Sequence, residues 1–407
     1  MKILHTADWH LGKKLQEVSR FEEQQLVLEE IATIAGKHDV DLVLVAGDIF
    51  DNFNPSHDAV ELLYRTLRKL SRNGTRPVLV ISGNHDATQF VEAPDPLAKE
   101  MGIFFYGNYD RVIPVGKLDN GLEILESEAG FVSLKIPGVD FPVRIILAPY
   151  ANELLLRSYL GEKDREQELR NLLAGRWKNL ADKYCDARGV NLFLGHFFFV
   201  NEGEDPGPEP ESERPILHVG GTQALYTNHI PNQVQYAALG HLHRYHAVRS
   251  SPFPVVYASS PLAYSFSEAG QEKQVVLIEA KPNQPVNYSA IPLTQGRNLE
   301  RKTFAELTVA LEWLADHPNC FLELTYVTEH SIDAATRRSL MKAHDGIINI
   351  IPQINRNKGG SDQQLQVADL EKDMLTLFGM YYQEEKGQAP HPELTAVFKE
   401  VISQNDA

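Results

Sequence analysis

Short, wholly apolar runs alternate with amphipathic stretches through the first part of the chain. Lys2-Ile3-Leu4, Leu42-Val43-Leu44-Val45, Val78-Leu79-Val80-Ile81 and Asn191-Leu192-Phe193-Leu194 are rich in branched residues and bounded by polar or glycine positions. Such runs predict strands buried on both faces. Tyr236-Ala237-Ala238-Leu239 is a weaker run of the same kind. Between the early runs, Val27, Leu28, Ile31, Ile34 and Ala35 fall on one helical face, as do Val60, Leu63, Leu67 and Leu70. Strands alternating with helices through residue 85 predict βαβ units and an α/β core. Residues 122–150 turn β-rich, with strands at 132–136 and 143–147, and 162–184 reads as a helix. Further strands are predicted around 254–257 and 274–278.

Beyond Thr294 the pattern changes to a smaller α+β unit. Phe304, Leu307, Leu311 and Leu314 have helical spacing, 321–326 reads as a strand, 334–344 as a helix and 347–351 as a second strand. Residues 355–364, with Lys358-Gly359-Gly360-Ser361, form a polar linker. Two amphipathic helices come after it. Val367, Leu370, Met374, Leu377 and Tyr381 alternate at spacings of three and four, a seam suited to packing on another helix. Leu394, Val397, Phe398 and Val401 make the second stripe. The expected organisation is therefore 1–293, 294–354, linker 355–364 and helix pair 365–407.

The predicted strand ends carry the chemistry. Asp8-Trp9-His10, Gly47-Asp48, Gly83-Asn84-His85-Asp86, Gly195-His196 and Gly240-His241-Leu242-His243 each follow one of the five apolar runs. Residues at successive strand ends converge on one edge of a sheet, where open α/β folds place their sites. Carboxylate, imidazole and amide oxygens suit Mn, Fe, Zn or Mg. No cysteine takes part, which argues against a closed structural zinc site. The donors exceed what one ion needs and point to a two-metal hydrolytic centre, in which a carboxylate must bridge. Asp48, alone after its strand, is the candidate. One Gly-His or Asp-x-His is ordinarily a turn or a cap; five in this order are not.

The order D-x-H, G-D, G-N-H-D, G-H, G-H-x-H resembles the signature of the calcineurin-like metallophosphoesterases, and within them the SbcD nuclease subunits. The likeness is carried by Met1 to Gly12 (MKILHTADWHLG), Ala46-Gly47-Asp48-Ile49-Phe50-Asp51, Ala238-Leu239-Gly240-His241-Leu242-His243 and Tyr257-Ala258-Ser259-Ser260-Pro261-Leu262. It spans residues 1 to about 270 and runs more loosely to the end; Ser259 stands where the family usually has glycine. The resemblance implies an α/β fold, a two-sheet sandwich flanked by helices, with a small α+β capping domain and a C-terminal helix pair. It implies that Asp8, His10, Asp48 and His243 hold one ion, and Asp48, Asn84, His196 and His241 the other. His85 would contact the scissile phosphate and assist the leaving oxygen, with Asp86 either orienting it or serving as an ordinary turn residue. The ions, expected to be Mn2+, would lower the pKa of the attacking water. The implied activity is that of a DNA nuclease, a double-strand exonuclease and a single-strand or hairpin endonuclease. It would act in repair, recombination and replication within an ATP-dependent complex. Implied partners are DNA and an SbcC-like coiled-coil ATPase docked on the helix pair, with a homodimer inside a heterotetramer.

Composition narrows this picture. At 407 residues with 43% hydrophobic content the chain supports two or three domains, and no apolar run approaches a membrane span. The chain enters a strand at once without a signal-like segment, and its two cysteines, Cys185 and Cys320, sit in unrelated contexts, so a cytoplasmic protein is expected. A net charge of −16 argues against tight unaided binding to duplex DNA. Arg65, Arg68, Lys69 and Arg72 recur at helical spacing and are candidate DNA contacts, or else a solvated helix face; Lys13 and Lys14 follow the first motif. The acidic, proline-rich 201–215 reads as a surface loop placed where it could gate the site. Two other functions fit part of the pattern, a phosphoesterase for nucleotides or other small substrates and a scaffold with a degenerate site. Bound metal without nuclease activity would favour the first, and no metal the second.

Overall fold

In a computed structural model, the apolar runs become the inner strands of two facing sheets. The structure describes residues 1–151, 165–204, 224–249, 251–329 and 332–354, with Phe378, Tyr382, Pro390, Leu394, Thr395 and Phe398 beyond them. Among the described residues the first sheet has six strands, in the order Asn287–Pro292, Gln274–Glu279, Lys2–Thr6, Leu42–Ala46, Val78–Ile81 and Ile103–Tyr106. The four strands from Lys2–Thr6 to Ile103–Tyr106 run parallel, as βαβ connections require. The second sheet has eight, with Val190–His196 at its centre between Val143–Ala148 and Tyr236–Gly240, parallel to both.

Side-chain alternation explains why these strands are apolar throughout. Leu42, Leu44 and Ala46 point into the space between the sheets, where they meet Ile145, Leu192, Leu194 and Ala238 from the other side. Val43 and Val45 point the opposite way, onto Val27, Leu28 and Ile31 of helix α1 (Phe21–Lys37) and Leu63 and Leu67 of helix α2 (His57–Leu70). The second sheet is covered in the same manner by the helix Arg165–Tyr184, whose buried Trp177 packs on Phe193. The layers are thus helix, sheet, sheet, helix, with three apolar seams. Ser56 caps α2 by accepting from the Ala59 amide at 3.3 Å. Buried Arg76 donates to the carbonyls of Ala35, Val40 and Leu70, serving residues at the ends of both helices.

The strands Asn298–Phe304, Cys320–Thr328 and Ile347–Ile354 form a small third sheet, backed by the helices Leu307–Asp316 and Ala334–Ala343. Phe304 does not belong to the helix its spacing suggested; it closes the strand, and the helix starts at Leu307. Both arrangements bury Phe304 against Leu314, so a helical stripe was a natural reading of its spacing. Buried Arg20 joins this sheet to the body of the fold. Its guanidinium donates to the Ala263 and Arg297 carbonyls and lies 5.1 Å from the Phe321 ring. Ser259 adopts a left-handed φ of 89°, which explains why glycine suits the position. Its hydroxyl accepts from the Gln274 amide at 3.1 Å and so holds the turn.

The chain divides into two compact units, 1–326 with 332–352 and 327–331 with 353–407. In the second, the Phe378 ring stacks on Phe398 at 3.9 Å. The linker 355–364, the seam residues Val367, Leu370, Met374, Leu377 and Tyr381, and most of the acidic loop 201–215 lie outside the described residues. None of the helices among the described residues is long and apolar enough to cross a membrane.

Candidate metal centre

Each donor motif leaves its strand at the same edge. The Asp8 and His10 amides donate to the Gly47 and Asp48 carbonyls, both at 3.0 Å, so the first two strand ends are laced together. Glycine precedes the ligands for steric reasons. A side chain on Gly47 (φ 85°) would strike the His196 ring, and one on Gly83 would strike the Asp48 carboxylate. Asp8, His10, Asp48 and His241 themselves carry positive φ values of 53°, 44°, 48° and 107°. Non-glycine residues in that region cost on the order of 1 kcal/mol or more each, strain that clusters at functional sites.

The seven predicted donors are all buried and fall into two groups that share Asp48. In the first, donor atoms of Asp8, His10 and Asp48 lie within 4.8 Å of one another, and His10 Nε2 stands 2.9 Å from His243 Nε2. In the second, Asn84 Oδ1 is 2.9 Å from His196 Nε2 and 3.0 Å from His241 Nδ1. Asp48 Oδ2 lies 3.5 Å from both His10 Nε2 and His196 Nε2, between the groups. Donors about 2.1 Å from one ion and at right angles are separated by about 3 Å, so these spacings match ligand shells.

Protonation supports the same conclusion. His196 Nδ1 lies 2.8 Å from the Ala46 carbonyl and donates to it, so the neutral ring turns a lone pair toward the Asn84 oxygen and the Asp48 carboxylate. Acceptors facing acceptors in a buried space require a cation. Without one the ring itself must take the charge. Burial disfavours that, but Asp48 and Asp8 outweigh it and raise the His196 pKa to about 9. For Asp48, burial pushes the carboxyl up, yet the His196 and His85 imidazoles hold it well below the ordinary range. Burial lowers the His10 pKa well below its usual value. The buried atoms Asn84 Nδ2 and His10 Nδ1 have no hydrogen-bond partner. The donor set fits two divalent ions held by oxygen and nitrogen.

His85 borders the first group, with its ring 4.9 Å from that of His10. Its Nδ1 donates to the Asp51 carbonyl at 3.0 Å, and its buried Nε2 has no partner. Asp86 does not orient this ring. Its carboxylate accepts from the main-chain amides of Gly83, Ile49 and Phe50 at 2.8, 3.1 and 3.0 Å, and thereby ties two strand ends together. Burial and the Asp48 charge nevertheless raise its pKa to about 6. Asp51, which is not among the predicted donors, is at the rim of the centre. Lys13 Nζ pairs with its Oδ1 at 2.8 Å, and His10 Nδ1 lies 3.9 Å from the same oxygen.

The helix cations behave differently. Arg65 pairs with Glu61 and Lys69 with Glu29 of α1, while Arg68 is exposed. Arg72 does not share the helical face its spacing suggested: α2 ends at Leu70, and Arg72 lies in the turn beyond it, paired with Asp39 at 3.1 Å. Sequence reasoning also missed Glu268 and Lys273, which bear on His243, and Gln24 and Tyr264, which hold the first turn. Gln24 Nε2 donates to the His10 carbonyl at 2.8 Å, and the Tyr264 hydroxyl donates to the Trp9 carbonyl at 2.5 Å. No short-range signal marks any of them, because they lie far from the residues they hold.

The family model for calcineurin-like phosphoesterases matches residues 1–245 of this chain. The chain is 32% identical to the SbcD subunit of the nuclease SbcCD from Bacillus subtilis over 413 residues, covering 99% of this chain and 98% of that protein. It is 29% identical to the same subunit from Staphylococcus epidermidis over 305 residues, 74% of this chain and 71% of that one. The corresponding subunit of Rhodobacter capsulatus is 33% identical over 287 residues, 69% of this chain and 66% of that protein.

Proposed function

Because the chain belongs to the calcineurin-like phosphoesterases, and within them to the SbcD nuclease family, we propose that its strand-end centre cuts DNA as part of an ATP-dependent complex. Membership makes it a metal-dependent phosphodiesterase of a nuclease family. The proposal concerns the substrate, the ions and the partners. The likeness to the SbcD subunit over nearly the whole chain supports the DNA substrate and the partners. The observation that carries the two-ion centre is the position of Asp48 Oδ2, 3.5 Å from an imidazole nitrogen of each donor group. Asp8, His10, Asp48 and His243 would hold one ion, and Asp48, Asn84, His196 and His241 the other. The oxygen and nitrogen set suits Mn2+. When bound, two divalent ions polarise the phosphate and bring the pKa of the attacking water toward neutrality.

The chain's own groups do the rest. The Asp51 carbonyl fixes the His85 ring through Nδ1 and leaves Nε2 turned away from any protein acceptor. In the imidazolium form Nε2 donates to the scissile phosphate and gives its proton to the departing oxygen. Burial of the donors excludes bulk water and strengthens these interactions. Duplex ends, single strands and hairpins are the substrates this reading gives, in repair, recombination and replication in the cytoplasm. A chain of net charge −16 needs a partner to hold the polyanion. An SbcC-like coiled-coil ATPase bound to residues 365–407, in a heterotetramer built on a homodimer of this chain, would supply it.

The test is cleavage of an end-labelled linear duplex by the full-length protein with Mn2+, alone and with the ATPase partner, beside His85→Ala. Metal-dependent cutting that the variant loses is the expected result. Failure to cut DNA even with the partner, while bis(p-nitrophenyl) phosphate is hydrolysed, would leave a small-molecule phosphodiesterase.

A further inference from the structure

His196 and His243 are held from behind by different means. The back of the His196 ring rests on a neutral main-chain carbonyl, that of Ala46. His243 Nδ1 instead lies 3.2 Å from Glu268 Oε1, a carboxylate only 2% exposed. Glu268 is anchored in turn: Oε1 accepts from the Tyr264 amide at 3.1 Å and Oε2 from Lys273 Nζ at 2.5 Å. Lys273 also donates to the His243 carbonyl at 2.7 Å and to Ser260 Oγ at 3.0 Å. An ammonium has three N–H donors, and here each has an acceptor. The pair therefore grips His243 at both ends, its ring through Glu268 and its backbone through Lys273.

A buried ion pair is poor value as a stabilising device, because desolvation cancels most of the attraction. What this pair does supply is direction. With Nδ1 as the donor to a carboxylate, His243 must present the Nε2 lone pair toward His10 Nε2, 2.9 Å away. Carboxylate support also raises the basicity of a ligating imidazole. The segment carrying Glu268 is fixed from its other side too. Phe266, on the same helical turn, packs on Leu299 and Phe321 of the small third sheet.

We propose that Glu268, held by Lys273, is a positioning residue for His243, so that the ion held by Asp8, His10, Asp48 and His243 depends on this carboxylate. This rests on the two-ion reading above.

The test is equilibrium dialysis of the full-length, metal-stripped protein against Mn2+. The wild type is expected to bind two ions. Glu268→Ala should leave one at wild-type affinity and weaken the other by about 10–100-fold, the usual consequence of losing such a partner. Glu268→Gln, which keeps an acceptor, should restore part of the loss. Glu268→Ala alone strands the Lys273 charge, so the double variant Glu268→Ala/Lys273→Met is the decisive one. Removing both charges leaves no unpaired buried ion while abolishing the positioning. It should show the same selective weakening, with the far-UV circular dichroism of the wild type retained. Wild-type affinity for both ions in the double variant, or equal weakening of both, would overturn the assignment. Independently, long-range 15N–1H correlation on 15N-histidine-labelled apo protein should show His243 protonated on Nδ1; protonation on Nε2 would overturn it without any variant. A wild type that binds fewer than two ions would instead remove the dinuclear reading and this assignment with it.

Discussion

The strand-end donors and the cations of α2 are both regular in sequence, yet only the first set converges. Asp8, His10, Asp48, Asn84, His196, His241 and His243 are fully or nearly fully buried, and their donor atoms meet across segments more than 150 residues apart. The pleat of two sheets dictates where each strand delivers the residue at its end. Arg65 and Lys69 are exposed on a helix whose geometry fixes only the face, and Arg72 is exposed just past its end. Each is left to pair with whatever the surface brings within reach, and each finds an acid. Regular spacing is therefore strong evidence for a site when the fold directs the side chains inward, and weak evidence when it leaves them in water.

The largest expected effect falls on the side of the comparison where geometry is imposed. His85→Ala should lower the rate on bis(p-nitrophenyl) phosphate by about 10²–10⁴-fold, the range for losing a general acid. Mn2+ binding measured by dialysis should be unchanged, since His85 holds neither ion in the proposed centre. A lost ion would instead place His85 with His10 and Asp51, whose donor atoms lie within 4.8 Å of its own, among the ligands. Next is Asp86→Ala, which strands three buried amide donors and should destabilise the fold by on the order of 3 kcal/mol in urea unfolding. A loss under about 1 kcal/mol would mean that the strand ends are held by the ions rather than by the chain.

His5 separates burial from function. It lies in the strand that leads into the first motif but turns into the sheet, between the Tyr236 hydroxyl and the Leu239 carbonyl. Burial lowers its pKa to about 3. In the window from about 6.5 down to 3 the unfolded chain binds a proton there that the folded chain does not. Stability should therefore fall as pH falls through that window, by up to about 1.4 kcal/mol per pH unit. Urea unfolding in EDTA at several pH values, with His5→Asn as control, should show that variant losing one proton's worth of slope.

Lys13 sharpens the contrast between cations. Its ammonium pairs with Asp51 at the rim of the centre and lies 5.9 Å from the Tyr264 ring. Lys13→Met should raise KM for DNA by about tenfold, roughly 1.4 kcal/mol, with a smaller change in kcat. The combined change Arg65→Ala/Lys69→Ala should do least, less than about twofold on cleavage, because exposed pairs contribute only a few tenths of a kcal/mol. A larger loss would return α2 to the DNA-binding surface and break the contrast.

Much of the fold and of the donor set was legible in the chain itself. Leu42-Val43-Leu44-Val45 can only be a strand buried on both faces, and the residues after it must leave at the sheet edge. The same holds for the runs before Asp8, Asn84 and His196, and more weakly for the one before His241. Their period is local, two residues in a strand and 3.6 in a helix. Even there, Asn298–Phe304 went unread, because its polar residues hide a strand and Phe304 matches the stripe of the helix after it.

The chain by itself determined the order of strands and helices, the edge where the donors gather and the class of chemistry those donors allow. Tertiary structure alone decided which groups support them. Glu268 reaches His243 across 25 residues and the Asp51 carbonyl reaches His85 across 34. The acids that neutralise Lys69 and Arg72 come from segments 40 and 33 residues away. Such partners are chosen by proximity after packing, and a side chain's neighbours in space leave no period in the sequence.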